Sequence, residues 1–480
     1  MLPHDASSWA IALYVSEWLI RLAMVVIVPF RRSPDAARGW LLLVLFAPWP
    51  ALVLYWLIGR PTFPRWRRER VKRLPELLGA TAAQIARLTR TEAAQLPARA
   101  ARAATLVRNI GQMPVVEGNS VDLLPDYQGT IDRLVTDIDS ARFHVHLLFY
   151  IFADDATGGR VMEALRRAAA RGVACRVLID ALGSRPWIDK VRARLAADNV
   201  AVHAALPVSI FRRKSARADL RNHRKIAVID GRVGYAGSQN IVDPSFRPGI
   251  VNKELMVRVR GPVVLELQSV FIADWFLETD EVLDGAHQEL LPGPVLAGQV
   301  PAQVLPSGPD YPGAGIQNLI VAAIHTARER VVIATPYFVP SEPLLDALQT
   351  AVLRGVEIHL FVSRVTDQEL VRLAQRSYYA QLMAAGVQIR LYRDGLLHAK
   401  NLSIDDDLAV IGSSNVDIRS FVLNSEVTLV FYDREVSARL RAEQDRYFAA
   451  SDLLLPDEWD RRPFAVKIAE NFGRLVSPLL

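Results

Sequence analysis

Apolar and polar positions along the chain follow three successive patterns. Trp9 to Val28 and Trp40 to Ile58 are nearly continuous apolar stretches. Each is long enough to cross a bilayer core of about 30 Å as a helix. The second carries no charge, and its Pro48 and Pro50 are better tolerated in membrane helices than in soluble ones. The first contains Glu17 and Arg21, four apart and so on one helical face, where they can pair. No basic residue precedes Trp9 and a second apolar span follows closely, which argues against a cleaved signal peptide. The pattern predicts a membrane hairpin over residues 1–60.

Residues 61–115 form a second regime, basic at its start and then rich in Ala, Leu and Arg, with Pro75 and Pro97 as punctuation. It reads as a basic, helical linker. Beyond it, short apolar runs alternate with helical periodicity. Ser140-Ala-Arg-Phe-His-Val145 leads into the run Leu147 to Phe152, a helical pattern follows, and then Arg171-Gly-Val173 opens the run Arg176 to Ile179. The order recurs with Thr326 to Val331, Val332 to Val339, a helical pattern, Arg354-Gly-Val356 and Glu357 to Val362. Apolar runs of strand length between helices predict βαβ units and buried, largely parallel sheets. The chain is thus read as α/β, with two duplicated halves over 116–290 and 291–480. At the end, Phe464, Ile468, Phe472, Leu475 and Val476 recur at helical spacing. Packing of that face on the protein's own core is the default expectation, and lying on a membrane surface is the alternative.

Composition changes this picture little. Apolar residues are 51% and charged residues 22%, with the apolar excess concentrated at the N-terminus. A net charge of +6 on 480 residues is a weak electrostatic footprint, and no nucleic-acid partner is expected. The single cysteine, Cys175, permits neither an internal disulfide nor a thiolate metal cluster. Basic residues orient the hairpin: none precedes the first span, Arg31, Arg32 and Arg38 lie between the spans, and Arg60, Arg65, Arg67, Arg68, Arg70, Lys72 and Arg73 follow the second. The denser cluster stays cytoplasmic under the positive-inside rule and takes the body of the chain with it. It is also drawn to anionic headgroups.

The chemistry lies in a phrase that occurs twice. His223-Arg-Lys225-Ile-Ala-Val-Ile-Asp230 continues to Gly237-Ser238-Gln239-Asn240, and His398-Ala-Lys400-Asn-Leu-Ser-Ile-Asp405 continues to Gly412-Ser413-Ser414-Asn415. The spacings agree throughout, across a gap of 175 residues. A strand would point His and Lys of each copy the same way, with Asp on the opposite face near its end. Gly-Ser-x-Asn reads as a turn offering hydrogen-bonding groups. Brought together, the copies gather two His, two Lys and two Asn, with Ser238 and Ser413 beside them. Two ammonium groups and amide donors suit a phosphate diester. Two imidazoles then permit double displacement, one attacking phosphorus and the other handling the proton. A carboxylate on each ring would fix its tautomer, and Glu254 and Glu426 are the candidates, because Asn252-Lys-Glu254 and Asn424-Ser-Glu426 follow the two phrases at matching places. Lysines supply positive charge, so the scheme calls for no metal and no cofactor.

These residues resemble the phospholipase D superfamily, whose pattern is His-x-Lys-x4-Asp followed by Gly-Ser-x-Asn twice per chain. The N-terminal hairpin, Thr335-Pro-Tyr-Phe-Val-Pro340, Leu396-Leu-His-Ala-Lys400 and the ending Ser477-Pro-Leu-Leu480 resemble bacterial cardiolipin synthases more narrowly. The resemblance implies two α/β halves with pseudo-twofold symmetry sharing one site in a multi-pass protein of the bacterial inner membrane. It also implies a phosphatidyl-histidine formed from one phosphatidylglycerol and captured by a second, giving cardiolipin and glycerol. By that analogy His223 is the nucleophile and His398 the acid and base. Lys225, Lys400, Asn240 and Asn415 hold phosphate, while Asp230 and Asp405 brace the site. Hydrolysis, transfer to another alcohol and a non-enzymatic lipid-binding scaffold are the rival readings, and the motifs fix no oligomeric state. The basic run Phe211-Arg-Arg-Lys214 with Arg217 and Arg221 has no counterpart before the second phrase, and is expected to meet anionic headgroups at the mouth of the pocket.

Overall fold

The computed structural model describes residues 4–32, 34–59, 65–74, 76, 96–208, 216–217, 219–283, 290–293, 295–311, 313 and 315–476. The basic run Phe211 to Lys214, the ending Ser477 to Leu480 and linker residues 77–95 lie outside them. The chain divides into two units, Met1–Arg68 with Val208–Asp219, and Glu69–Pro207 with Leu220–Leu480.

In the first unit a helix spans His4–Ile27, and its Ser8–Ile27 stretch is long and apolar enough to cross a membrane. The second apolar stretch is not one continuous helix. It is divided into helices Pro34–Phe46 and Pro48–Leu54 and a π-helical turn Tyr55–Gly59. Proline lacks an N–H and pushes the residue before it out of the helical region. Ala47 accordingly has φ −138°. Arg21 serves the break: it pairs with Glu17 at 3.2 Å, as the spacing predicts, and donates to the Leu45 carbonyl at 3.2 Å. Met24, Val28, Trp40, Val44, Ala51 and Tyr55 pack together, while Trp9, Leu13, Leu22, Val25 and Trp56 point outward. An apolar outer surface is what a bilayer solvates best.

The second unit is built on a sheet of 16 strands with two equivalent halves. The first half runs Val116–Leu124, Met256–Arg260, Val233–Gly237, Lys225–Ile229, His144–Phe149, Ala174–Asp180 and Ala201–Ala205. The second runs Val300–Ser307, Asn424–Phe431, Leu408–Gly412, Asn401–Ile404, Arg330–Ala334, Glu357–Ser363 and Gln388–Tyr392, with Ser451–Leu453 added at the edge. Val116–Leu124 and Val300–Ser307 pair antiparallel at the centre, Val116 opposite Ala302, and join the halves.

The sheet is mixed rather than largely parallel. Only the outer three strands of each series are parallel, those joined by the predicted helical crossovers. The strands carrying the repeated phrase return by hairpins and pair antiparallel. The cause is the Asp of each phrase. Asp230 (φ 52°) and Gly231 (φ 61°) form the left-handed tight turn that an Asp-Gly pair favours, and Asp405 (φ 47°) opens the corresponding turn. Helices cover the faces, and Ala98–Gly111, read from sequence as linker, contributes Ala100, Ala104, Val107 and Ile110 to the core of the second half.

Candidate active site

Two short strand pairings bring the halves together. Arg221–Asn222, just ahead of His223, pairs parallel with Asn424 and Ser425 of the second half. Leu396–Leu397, just ahead of His398, pairs with Asn252 and Lys253 of the first. His223 therefore precedes its strand and donates its backbone N–H to the Ser425 carbonyl at 2.9 Å, while that of His398 goes to Lys253 at 2.8 Å. Each histidine is thus carried to the Asn-x-Glu segment of the opposite half.

The carboxylates follow from this exchange. Glu426 lies 3.0 Å from Nδ1 of His223, and Glu254 lies 2.7 Å from Nδ1 of His398. Ser413 donates to Glu426 and accepts from the Val427 N–H at 3.0 Å. Ser238 has the equivalent place in the chain, accepting from the Leu255 N–H at 2.9 Å and donating to the Leu255 carbonyl at 3.2 Å. Neither serine lines the cavity, against the expected place on the phosphate: both are fully buried, the Ser413 hydroxyl held by Glu426 and that of Ser238 by the Leu255 backbone. Lys225 and Lys400 donate to the carbonyls of their own histidines, at 2.6 and 2.5 Å.

Burial sets the protonation of the cluster. It pushes both imidazoles down to about 4, against the raising effect of the facing carboxylates. It likewise lowers Lys225 to about 7 and Lys400 to about 8. Burial raises the Glu254 and Glu426 carboxyls, but the imidazoles, lysines and serines around them outweigh it and hold both below the usual range. At neutral pH both rings are neutral and both carboxylates charged. With Nδ1–H directed at a carboxylate, the free lone pair is on Nε2 of each ring.

His223, His398, Asn240 and Asn415 line one cavity of about 300 Å³ between the halves. Asn240 accepts the Ile151 N–H at 3.0 Å through Oδ1, which leaves its NH2 end as the donor for a ligand. Asp230 and Asp405 are not in the cavity wall. Asp230 accepts the backbone N–H groups of Arg142, Phe143 and His144, at 2.8 to 2.9 Å. Asp405 does the same for Arg328, Glu329 and Arg330 and also takes Arg99. Each fastens the hairpin turn to the entry of the neighbouring strand rather than facing away at a strand end.

Several wall residues escaped the sequence reading. Tyr150 meets the His223 ring edge-on at 5.0 Å, and the Lys225 ammonium is 5.4 Å from its ring centre. Tyr337 lines the same cavity and donates to Asp367 at 2.5 Å. Their signal is in the sequence: each tyrosine lies two residues before the end of the first apolar run of its repeat. Arg221, Arg247 and Arg419 add cations to the wall.

A duplicated α/β body with one His-x-Lys phrase per half, meeting at a single cavity, defines the phospholipase D-like class. The family model described as "Cardiolipin synthase, PLD-like domain" matches residues 134–275 and 320–448, one match in each half, and the chain belongs to that family. It is 35% identical to Cardiolipin synthase A of Serratia proteamaculans, over 96% of this chain and 97% of that one. Against Cardiolipin synthase A of Pectobacterium carotovorum the identity is 34%, over 99% of each. In fold it matches the crystal structure of phosphatidylserine synthase from Haemophilus influenzae, with a TM-score of 0.61 at 17% identity, covering 80% of this chain and 100% of that one.

Proposed function

We propose that the protein is a phosphatidyltransferase that makes cardiolipin from two molecules of phosphatidylglycerol, releasing glycerol. The observation that carries this reading is the crossed arrangement of the two histidines, each on the same cavity and each backed by a carboxylate of the other half. Family membership and the near-full-length similarity to proteins named cardiolipin synthase A support the same conclusion.

In the first step Nε2 of neutral His223 attacks the diester phosphorus. The bond to glycerol breaks, and protonated His398 gives its proton to the departing alkoxide. His398 is neutral in the empty site, and the arriving phosphate anion favours its protonation, with Glu254 stabilising the imidazolium. In the second step the hydroxyl of the second phosphatidylglycerol attacks the phosphatidyl-histidine, its proton passes to His398, and His223 departs neutral. Lys225, Lys400, Asn240 and Asn415 hold the phosphoryl oxygens. The hairpin anchors the chain in the bacterial inner membrane as a multi-pass protein, with its body cytoplasmic by the distribution of basic residues.

The test is incubation of the detergent-purified protein with phosphatidylglycerol alone, followed by mass spectrometry. Cardiolipin with glycerol is the expected result, and phosphatidic acid as sole product sinks the transferase reading. His223→Ala and His398→Ala each abolish turnover. A phosphatidyl adduct trapped on the peptide carrying His398 would reverse the roles of the two rings.

A further inference from the structure

Capture of the intermediate by a second phosphatidylglycerol sets a requirement that capture by water does not. The acceptor brings its own phosphate anion into a cavity that already holds a phosphoryl group. In cardiolipin the two phosphates share one glycerol and stand about 7 Å apart, and at an effective dielectric of about 20 two unit charges at that distance weaken binding on the order of fiftyfold. In the scheme proposed above, the two His–Lys pairs serve the first phosphate. A further cationic site is needed for the second.

The cavity wall contains such cations outside the repeated phrase. Arg247 lies seven residues after Asn240 and Arg419 four after Asn415, so each Gly-Ser-x-Asn turn is followed by an arginine on the cavity. Arg221, the third arginine there, is part of the frame: it is buried, pairs with Asp180 at 3.1 Å and donates to the Leu206 carbonyl at 3.1 Å. Arg247 is placed differently. It crosses from the first half to pair with Asp367 of the second, its guanidinium lies 5.1 Å from the Phe246 ring centre, and its side chain keeps 36% exposure. Asp367 is itself nearly buried, but it also accepts the Tyr337 hydroxyl, so its carboxylate keeps a hydrogen-bond partner when the guanidinium turns to a phosphate oxygen. Arg419 lies in the short helix Ile418–Val422, whose first turn is fixed by Asp417 accepting the Ser420 N–H at 2.7 Å. Arg247 and Arg419 both act on the Tyr150 hydroxyl, and Tyr150 is the residue that meets the His223 ring.

We propose that Arg247 and Arg419, one from each half, form a second anion subsite that binds the phosphate of the incoming phosphatidylglycerol. This rests on the transferase reading above. Arg247 trades the Asp367 carboxylate for a phosphate oxygen, and the guanidinium fork suits that exchange. The acceptor's terminal hydroxyl is then held beside the phosphatidyl-histidine. Its oxygen forms the new bond to phosphorus, the bond to His223 breaks, and its proton goes to His398. The subsite thereby favours a lipid acceptor over water or a small neutral alcohol.

The experiment supplies the full-length protein, in mixed micelles of phosphatidylglycerol, with ethanol as a neutral competing acceptor. The ratio of cardiolipin to phosphatidylethanol is read from one sample, so loss of folded protein cancels. Arg247→Gln and Arg419→Gln each lower that ratio at least tenfold, the effect expected for one charge-assisted contact. Arg247→Lys and Arg419→Lys, which keep the charge, recover most of it. An unchanged ratio, with both products falling together, overturns the subsite. So does a Gln variant that forms neither product, because the arginine then serves the first phosphate. A wild-type protein that forms phosphatidylethanol but no cardiolipin instead refutes the function on which the subsite rests.

Discussion

Glu254 lies 2.7 Å from Nδ1 of His398, a residue 144 positions away in the other half of the molecule. Glu426 repeats the relationship with His223 at 3.0 Å. Neither half backs its own cavity histidine with its own carboxylate, so the duplication supplies one interlocked site rather than two. The parallel pairings of Arg221–Asn222 and Leu396–Leu397 with the opposite Asn-x-Glu strands set the distance.

Removing charge from either carboxylate tests the interlock. Glu254→Gln and Glu426→Gln keep the shape but lose imidazolium stabilisation and tautomer control, and each lowers kcat by about 10²–10⁴-fold, the share that a positioned acid–base group supplies. Steady-state turnover of phosphatidylglycerol measures it. A loss of threefold or less in both variants contradicts the assigned role.

How much of this was legible in the sequence follows from range. The recurrence of the phrase, the strand–helix–strand order and the Glu17–Arg21 pair depend on local spacing and appear as read, although each His, expected on a strand with its Lys, precedes that strand. The crossing of Glu254 and Glu426 does not, because it depends on strand pairings that join segments 144 and 203 residues apart. Ser238 and Ser413 misled for a related reason. A serine beside a phosphate-binding Asn reads as a ligand until Leu255 and Val427 are seen to close over it. Antiparallel pairing of the phrase strands is legible in Asp230-Gly231, a hairpin signal between two apolar runs. Pro48 and Pro50 were read as tolerable in a membrane span, yet helix geometry still breaks before Pro48.

The pH profile should show the lysines. With Lys225 lowered to about 7 and Lys400 to about 8, both carry a proton below those values and lose it as pH rises through them. Affinity for the anionic diester falls in the same direction, so kcat/KM declines on the alkaline side from roughly pH 7 to 8 upward. A bound phosphate raises both lysines, and the limb in kcat lies at higher pH than the limb in kcat/KM. A kcat/KM profile flat from about pH 6 to 9.5 removes the lysines from phosphate binding.

Asp230 is predicted to matter for stability rather than chemistry. Its carboxylate accepts three successive backbone N–H groups, and it holds φ 52°, a region that Asp tolerates better than Ala. Asp230→Ala strands those donors, including that of buried His144, and destabilises the fold by roughly 2–4 kcal/mol. Asp230→Asn keeps an acceptor and costs less. Thermal unfolding of the purified protein, with turnover normalised to folded molecules, separates the two effects. A normalised turnover as low as that of the histidine variants places Asp230 in the chemistry.

The C-terminal helix Phe464–Val476 reverses the default expectation for its apolar face. Phe464, Ile468, Phe472 and Leu475 are exposed, and the buried residue is Glu470, held by Arg376 and Arg462. Gly473 packs against Leu373 and Ala374 of the helix Glu369–Ser377, and Val371 of that helix lines the active-site cavity. The helix Glu369–Ser377 thus touches both the C-terminal helix and the cavity. An apolar stripe of this kind, flanked by Lys467 and Arg474, binds a lipid surface through buried area and attraction to anionic headgroups. The double variant Ile468→Asp with Phe472→Asp leaves the Glu470 contacts in place and removes that attraction. The ratio of activity on phosphatidylglycerol in vesicles to activity in detergent micelles should fall about tenfold or more, because micelles deliver the substrate without a bilayer to dock on. An unchanged ratio means that the helix face has no part in bringing the cavity to the membrane.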